Sequence, residues 1–172
     1  IDIGGESTRP GSKPVSIEEE LERVIPAIEF IKSISDIPIS IDTQKAEVAK
    51  KAVVAGACVV NDVGGLRNED MISTIAELQI PVIIMHMQGM PENMQKNPQY
   101  VDTVEDIKKW LNERINAAEM AGIKRSNMIV DPGIGFGKNL KHNLEILGGL
   151  NEFNGMAGGV LLGASRKSFI GM

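Results

Sequence analysis

The sequence predicts an α/β fold built on a parallel β-sheet, and three observations support this. Short, almost entirely apolar runs recur along the 172 residues, as in strands that are buried on both faces. Amphipathic segments with helical spacing separate these runs. The composition, 42% hydrophobic and 24% charged, is typical of a globular protein that can bury a core. Such alternation indicates either an open doubly wound sheet or a (β/α)8 barrel.

Six strands are expected from the apolar runs. They lie at residues 1–3, 37–41, 58–60, 80–85, 127–130 and 159–162. A complete barrel needs eight strands and typically about 250 residues. The chain is therefore either an open six-stranded sheet or a barrel from which strands are missing.

The first helix is predicted over residues 17–31, where the apolar side chains fall on one face. Ser16 and Glu19 have the spacing of a capping box at its start. Pro26 lies inside the segment and predicts a kink, because proline removes a backbone hydrogen bond.

The longest later helix is predicted over residues 103–121, with Asp102 or Thr103 as its N-cap and Gly122 as its C-terminal stop. Shorter helices fit residues 44–55, 69–78 and 142–148.

Composition excludes several classes of function. A net charge of −5 argues against nonspecific binding to nucleic acid or to an anionic membrane, and 3% aromatic residues argue against stacking platforms for single strands. Cys58 is the only cysteine, so a disulfide framework is excluded, and its apolar neighbours predict a buried core residue. Without a long apolar segment or a recognisable signal peptide, we expect a cytoplasmic protein.

Every predicted strand runs into polar residues at its carboxyl end. These residues are Asp2, Asp42, Asn61 with Asp62, His86, Asp131, and the segment Ser165–Ser168. In parallel α/β folds these ends share one face, where ligands bind. Each residue could instead cap the following helix. Capping does not explain three carboxylates accompanied by a lysine and an arginine, so the set favours a binding site.

Other motifs are weak. The glycine-rich loop at 132–138 fails the Walker A pattern, because Pro132 and Asn139 stand where glycine and Ser or Thr are required, and it is equally weak as a dinucleotide fingerprint. His86 and His142 lack metal-ligand spacing, and His86 is expected to be a hydrogen-bonded strand-end residue rather than a catalytic base. The absence of GxSxG, together with a buried Cys58, gives little support to a nucleophilic hydrolase.

Paired carboxylates beside an amide suit a neutral, planar heterocycle that is rich in N–H donors. Lys167 and Arg9 would suit an anionic group next to it.

Six motifs occur in order across almost the whole chain. They are DIGGESTRPG, SIDT, VVNDVGG, MHMQGMPENMQ, DPGIGFGK and GASRKSFIG. Together they resemble the bacterial-type dihydropteroate synthase family. The resemblance implies a (β/α)8 barrel and a transferase that joins 6-hydroxymethyl-7,8-dihydropterin pyrophosphate to p-aminobenzoate in folate synthesis. It also implies Mg²⁺ as cofactor and a homodimeric full-length protein.

The resemblance further implies roles for individual residues. The pterin would contact Asp42, Asn61, Asp131 and Lys167. The p-aminobenzoate and pyrophosphate would contact Thr8, Arg9, Pro10, Phe136 and Ser168. Lys167, Arg9 and Asp131 would be the catalytic residues, acting by electrostatics and positioning rather than as nucleophiles.

Two family features have no counterpart in the sequence. A first strand with an Asn for Mg²⁺ and an Asp for the cation would lie upstream of Ile1, and a last strand with Arg-x-His would lie beyond Met172. We therefore expect residues 1–172 to be a single pterin-binding barrel domain truncated at both ends, covering strands two to seven. The isolated chain is expected to be inactive or barely folded, because two parallel edges would be exposed.

Three other interpretations stay open on the sequence. They are a pterin-binding methyltransferase domain on the same barrel, a non-catalytic pterin-binding paralogue, and a phosphate-binding barrel with another substrate.

Overall fold

Six parallel strands form one sheet in the computed structural model, which describes residues 1–9, 12–167 and 170. The strands are β1 (Asp2–Gly4), β2 (Ser40–Asp42), β3 (Val59–Asp62), β4 (Val82–Met85), β5 (Met128–Asp131) and β6 (Gly159–Val160). They lie side by side in chain order, and each pair is parallel. Open doubly wound sheets reverse their strand order at a switch point, whereas barrel walls do not. The sheet is therefore the wall of an incomplete (β/α)8 barrel.

Helices connect the strands and cover the outer face of the sheet. They are α1 (Ile17–Ile34), α2 (Ala46–Ala55), α3 (Glu69–Leu78), α4 (Thr103–Met120) and α5 (Leu140–Gly148), with short 3-10 turns at Arg125–Asn127 and Leu150–Phe153. The core lies between the two layers, where Ile41 and Ile84 of the sheet belong to the same buried cluster as Ile28 and Ile107 of the helices. The core thus occupies the outer face of the sheet, and the inner face of the barrel wall is left to form a site.

The start of α1 departs from the prediction in its cap. Ser16 Oγ accepts the Glu19 N–H at 3.1 Å, but the Glu19 carboxylate pairs with Arg23, so only half of the capping box forms. The helix continues through Pro26 to Ile34, and the kink expected at Pro26 stays a prediction. Pro26 is exposed, so water can bond the carbonyl that the proline leaves without a partner.

The capping predictions for α4 are confirmed. The Asp102 carboxylate accepts the N–H groups of Val104 and Glu105, and Gly122 follows the helix with a φ of +93°.

Two burial predictions are wrong. Cys58 is exposed, because it lies just before β3, where its Sγ donates to the Ile39 carbonyl. Of the strands, only β4 is buried along its whole length. The others have exposed or half-buried residues because their inner side chains face an open cavity rather than a second layer.

Among the described residues, no helix is both long enough and apolar enough to cross a membrane.

Candidate functional site

A cavity of about 240 Å³ opens at the carboxyl ends of the strands. It is lined by Asp2, Thr8, Ser40, Asp42, Asn61, Val63, Ile83, Asp131, Gly133, Ile134, Phe136, Leu161, Gly163 and Lys167. Seven of the residues singled out in the sequence therefore meet here: Asp2, Thr8, Asp42, Asn61, Asp131, Phe136 and Lys167. Arg9 is exposed and stands outside the described lining, while Pro10 and Ser168 lie outside the described residues.

The register of the strands explains why these side chains converge. Asp42 pairs with Asn61, and Asn61 pairs with Ile83, so these three positions form one layer of the inner face. Asp131 pairs with Met85, two residues beyond Ile83, which puts its side chain on the same face and closer to the rim.

We call Asp2, Ser40, Asp42 and Asn61 the acidic wall of the cavity. The Asp2 carboxylate accepts hydrogen bonds from Ser40 Oγ at 2.5 Å and from Asn61 Nδ2 at 3.1 Å. The Asn61 amide is thereby oriented by a residue of β1, so its carbonyl oxygen can face a ligand. Asp2 was expected only as a strand-end carboxylate, and its partners become visible only in the folded sheet.

Asp42 is the residue of the acidic wall that lacks a full set of partners. Its Oδ1 is buried without a hydrogen bond among the described residues. Burial, followed by the neighbouring carboxylates of Asp2 and Asp62, raises the pKa of Asp42 to about 7. A buried carboxyl oxygen without a donor is costly, so this atom is suited to accept an N–H from a ligand.

We call Asp131, Phe136, Lys138 and Lys167 the basic wall. Asp131 Oδ1 accepts the Gly133 N–H at 2.7 Å, and the Lys167 Nζ lies 4.2 Å from the centre of the Phe136 ring. Burial raises the pKa of Asp131 to about 6, while the Gly133 N–H and the cations of Lys138 and Lys167 oppose that rise. Burial also lowers the pKa of Lys167, with Asp131 opposing it.

The loop that carries Thr8 and Arg9 is anchored at both ends by Glu6. Its Oε2 accepts the Val15 N–H and the Lys45 ammonium at 2.8 and 2.7 Å. Lys45 also pairs with the fully buried Glu20 at 2.5 Å. The span between residues 6 and 15 is therefore closed by contacts to α1 and to the start of α2.

The remaining strand-end residues support loops. Asp62 accepts the N–H groups of Gly64 and Leu66, which shapes the turn after β3. The prediction for His86 is confirmed, because its N–H bonds the Asp131 carbonyl and its Nδ1 lies 2.9 Å from Lys138 Nζ. Burial, followed by the charges of Lys138 and Arg67, lowers the pKa of His86 to about 2, so the imidazole is neutral.

Lys138 is the part of this site that the sequence did not indicate. The sequence offers Lys138 only as the lysine of a failed Walker A pattern, although its position after three alternating glycines is a signal for a buried partner of a tight loop. It is 3% exposed, and its three acceptors come from two different segments.

A larger cavity of about 510 Å³ lies between the start of α4 and α5. It is lined by residues such as Thr103, Lys141 and Glu145, away from the strand ends. The Thr103 hydroxyl already donates a hydrogen bond to the Glu145 carboxylate there at 2.5 Å. We therefore place the site at the smaller cavity.

Comparison with known proteins agrees with this geometry. A family model described as pterin binding enzyme matches residues 1–172. The chain belongs to the pterin-binding enzyme family. Within that family it is 46% identical to the dihydropteroate synthase of Escherichia coli K12 over 171 residues. That alignment covers 99% of this chain and 61% of the relative, so the chain spans less than two thirds of that protein.

Solved structures of the family share the fold closely. The Yersinia pestis dihydropteroate synthase, in complex with a sulfonamide drug, superposes with a TM-score of 0.96 at 44% identity, covering 99% of this chain and 62% of that one. The Xanthomonas albilineans dihydropteroate synthase with 4-aminobenzoic acid superposes with a TM-score of 0.92 at 46% identity, covering 99% of this chain and 60% of that one. The incomplete barrel predicted from the sequence is therefore confirmed.

Proposed function

We propose that the full-length protein containing this chain is a dihydropteroate synthase. It would condense 6-hydroxymethyl-7,8-dihydropterin pyrophosphate with p-aminobenzoate to give dihydropteroate and pyrophosphate. The observation that carries the proposal is that Asp42, whose buried Oδ1 has no hydrogen-bond partner among the described residues, lines one small cavity together with Asn61 and Asp131. The relatives named above support the same reaction.

The pterin ring matches these groups chemically. Its amino-pyrimidinone edge presents adjacent N–H and NH2 donors, and two buried carboxylates are the acceptors that such donors prefer. The Asn61 amide offers both a donor and an acceptor to the remaining ring atoms. We assign Asp42, Asn61 and Asp131 to the pterin, with Lys167 at its rim.

The reaction needs positioning and charge stabilisation rather than a protein nucleophile. The C–O bond between the pterin methylene and pyrophosphate breaks, and the pyrophosphate leaves with the electron pair. The amine nitrogen of p-aminobenzoate then forms a C–N bond to the methylene and loses one proton. Asp131 would stabilise the positive charge that develops on the pterin, and Lys167 and Arg9 the negative charge on the leaving group.

The aminobenzoate would lie near Thr8 and Phe136, which both line the cavity. Pro10 and Ser168 keep their proposed roles beside it, as a ring contact and a carboxylate contact.

Mg²⁺ and the homodimer remain proposals that rest on the resemblance, and the cytoplasmic location remains a proposal that rests on the sequence pattern. Within residues 1–9, 12–167 and 170, no group of three or more His, Cys, Asp or Glu side chains is arranged to hold a metal ion. The part of the chain that the structure describes thus supplies no such group for Mg²⁺, and we assign no step to the ion. A single domain over residues 1–172 and the inactivity of the isolated chain also stay predictions.

The test uses the full-length protein. We expect turnover of both substrates and, in the Asp42→Asn variant, about 100-fold weaker pterin binding, because an amide N–H would face a ring N–H. Asp36→Asn, a matched change in an exposed loop, should leave binding unchanged. Calorimetry with 6-hydroxymethyl-7,8-dihydropterin measures binding, and pyrophosphate release measures turnover. A well-folded full-length protein that forms no dihydropteroate would refute the proposal.

A further inference from the structure

Lys138 is a buried lysine that the reaction described above does not use. Its side chain is 3% exposed, and among the described residues no carboxylate lies within ion-pair distance of its Nζ. Burying an ammonium without a salt bridge is costly, so the fold must supply other partners for it.

Three acceptors meet the Lys138 ammonium. They are His86 Nδ1 at 2.9 Å, the Phe136 carbonyl at 2.8 Å and the His86 carbonyl at 3.3 Å. An ammonium has three N–H donors and a neutral amine has two, so this set matches the charged form. Burial lowers the pKa of Lys138 well below its ordinary value, and the charge of Asp131 opposes that shift. When Lys138 is charged, Nδ1 of His86 accepts its N–H and the imidazole proton lies on Nε2.

These contacts join Lys138 to both sides of the pterin pocket. The His86 N–H bonds the Asp131 carbonyl at 2.9 Å, so Lys138 supports the end of β5 through His86. Its bond to the Phe136 carbonyl holds the loop whose ring lines the cavity.

Other side chains fix the same loop and leave it little freedom. The Gly135 carbonyl accepts Gln95 Nε2 at 2.6 Å, and the Gly137 carbonyl accepts the Tyr100 hydroxyl at 2.8 Å. Lys138 is the charged member of this set, and of the two lysines whose charges act on Asp131 only Lys167 is among the residues that line the cavity.

We propose that Lys138 is a positioning residue for pterin binding, whose buried ammonium holds Asp131 and Phe136 in place through His86 and the loop backbone. The inference rests on the proposed function, since the ligand is the pterin. Lys138 would also supply positive charge that keeps Asp131 ionised as an acceptor for the ring.

The groups that face Asp131 define the expected pH dependence. Lys138, Lys167 and the neutral His86 lie on its own side, and the carboxylates of Asp2 and Asp42 line the opposite side of the cavity. Pterin affinity should therefore fall at low pH in two steps, one from Asp42 and one from Asp131. Loss of Lys138 should move only the Asp131 step, towards higher pH.

The experiment compares full-length wild-type protein with Lys138→Met and with Lys141→Met. Lys141 is 79% exposed on the first turn of α5 and gives the same substitution without a buried role. Calorimetry with 6-hydroxymethyl-7,8-dihydropterin is run from pH 5 to 9, and thermal unfolding is followed in parallel. Lys138→Met should bind the pterin at least about tenfold more weakly at pH 7, with the shifted profile. Lys141→Met should match wild type.

The outcomes are distinct. Wild-type affinity and an unshifted profile in a folded Lys138→Met protein would overturn the inference while leaving the proposed function intact. Absence of pterin binding by the wild-type protein would instead defeat the proposed function, and the inference with it. If Lys138→Met does not fold, the double variant Lys138→Met/His86→Leu also removes the His86 imidazole, whose Nδ1 would otherwise be left without its lysine donor. The same loss of pterin affinity and the same shift of the pH profile are expected of the double variant.

Discussion

The acidic wall and the basic wall place the same side chain, an aspartate, in two different electrostatic settings. Asp42 has carboxylate neighbours and one oxygen without a donor, and its pKa is raised to about 7. Asp131 has a backbone N–H and two nearby lysines, and its pKa is raised only to about 6. At neutral pH Asp131 is mostly ionised, whereas Asp42 is about half protonated. The cavity thus has one hydrogen-bond acceptor that stays charged at neutral pH, Asp131, and one whose charge changes near neutral pH, Asp42.

The walls also differ in how tightly the backbone is packed. A Cβ added to Gly133 would lie 1.9 Å from the His86 carbonyl oxygen, and Gly133 has a φ of +70°. A Cβ added to Gly4, on the acidic side, would lie 3.3 Å from the Asp42 Cβ, and φ there is not in the left-handed region. A side chain at Gly133 would overlap the His86 carbonyl, whereas one at Gly4 would require Asp42 to shift by only a few tenths of an ångström.

The largest expected effect follows from that packing. Gly133→Ala should lower the free energy of unfolding by about 4 kcal/mol or more, because both the contact and the backbone angle forbid a side chain. Gly4→Ala should cost about 1 kcal/mol or less. Urea unfolding of the full-length variants measures both changes, and equal losses would show that the two walls are packed alike.

A smaller effect is expected from the charge of Asp42. Its pKa rises from an ordinary 3.8 to about 7 on folding, so the folded state holds the proton more tightly. The associated stability is present below about pH 4 and is lost as the pH rises through 7. Asp42→Asn should therefore stabilise the protein at pH 8, by about 2 kcal/mol. This is roughly half of what three pKa units represent, because the amide has its own burial cost.

The same measurement provides its control. As the pH falls through 3.8 and below, the difference between Asp42→Asn and wild type should disappear, since the wild-type carboxyl becomes protonated in both the folded and the unfolded state. Asp131→Asn should give less stabilisation at pH 8, because it loses an acceptor for nearby cations. A pH-independent difference for Asp42→Asn would contradict the assignment of its raised pKa.

The smallest effect on stability is expected for Lys167→Met. Lys167 is half-buried, so removing its ammonium should change the free energy of unfolding by about 0.5 kcal/mol or less. Pterin binding should still weaken, because the ammonium borders the cavity. Urea unfolding and calorimetry on one preparation separate the two effects, and a large loss of stability would make Lys167 a structural residue.

Much of the site could be predicted from sequence because strand order and strand ends are local signals. Each apolar run ends in its own polar residue, and parallel strands bring these ends to one face, so Asp42, Asn61 and Asp131 could be grouped before any coordinates. Cys58 was wrongly placed in the core, because an apolar neighbourhood does not reveal which face a residue takes. The capping box at Ser16 formed only in part, because the Glu19 carboxylate pairs with Arg23 one helical turn further along.

The alternation of strands and helices, the incomplete barrel and the identity of the residues at the strand ends can be read from the amino-acid sequence alone. These features follow from periodicity and from six ordered motifs, which need no long-range contacts to be recognised. The electrostatics of the site, in contrast, depend on the folded structure. The unpaired oxygen of Asp42 and the three acceptors of Lys138 depend on residues such as Asp2 and His86, which are distant in the chain and meet only when the sheet is folded.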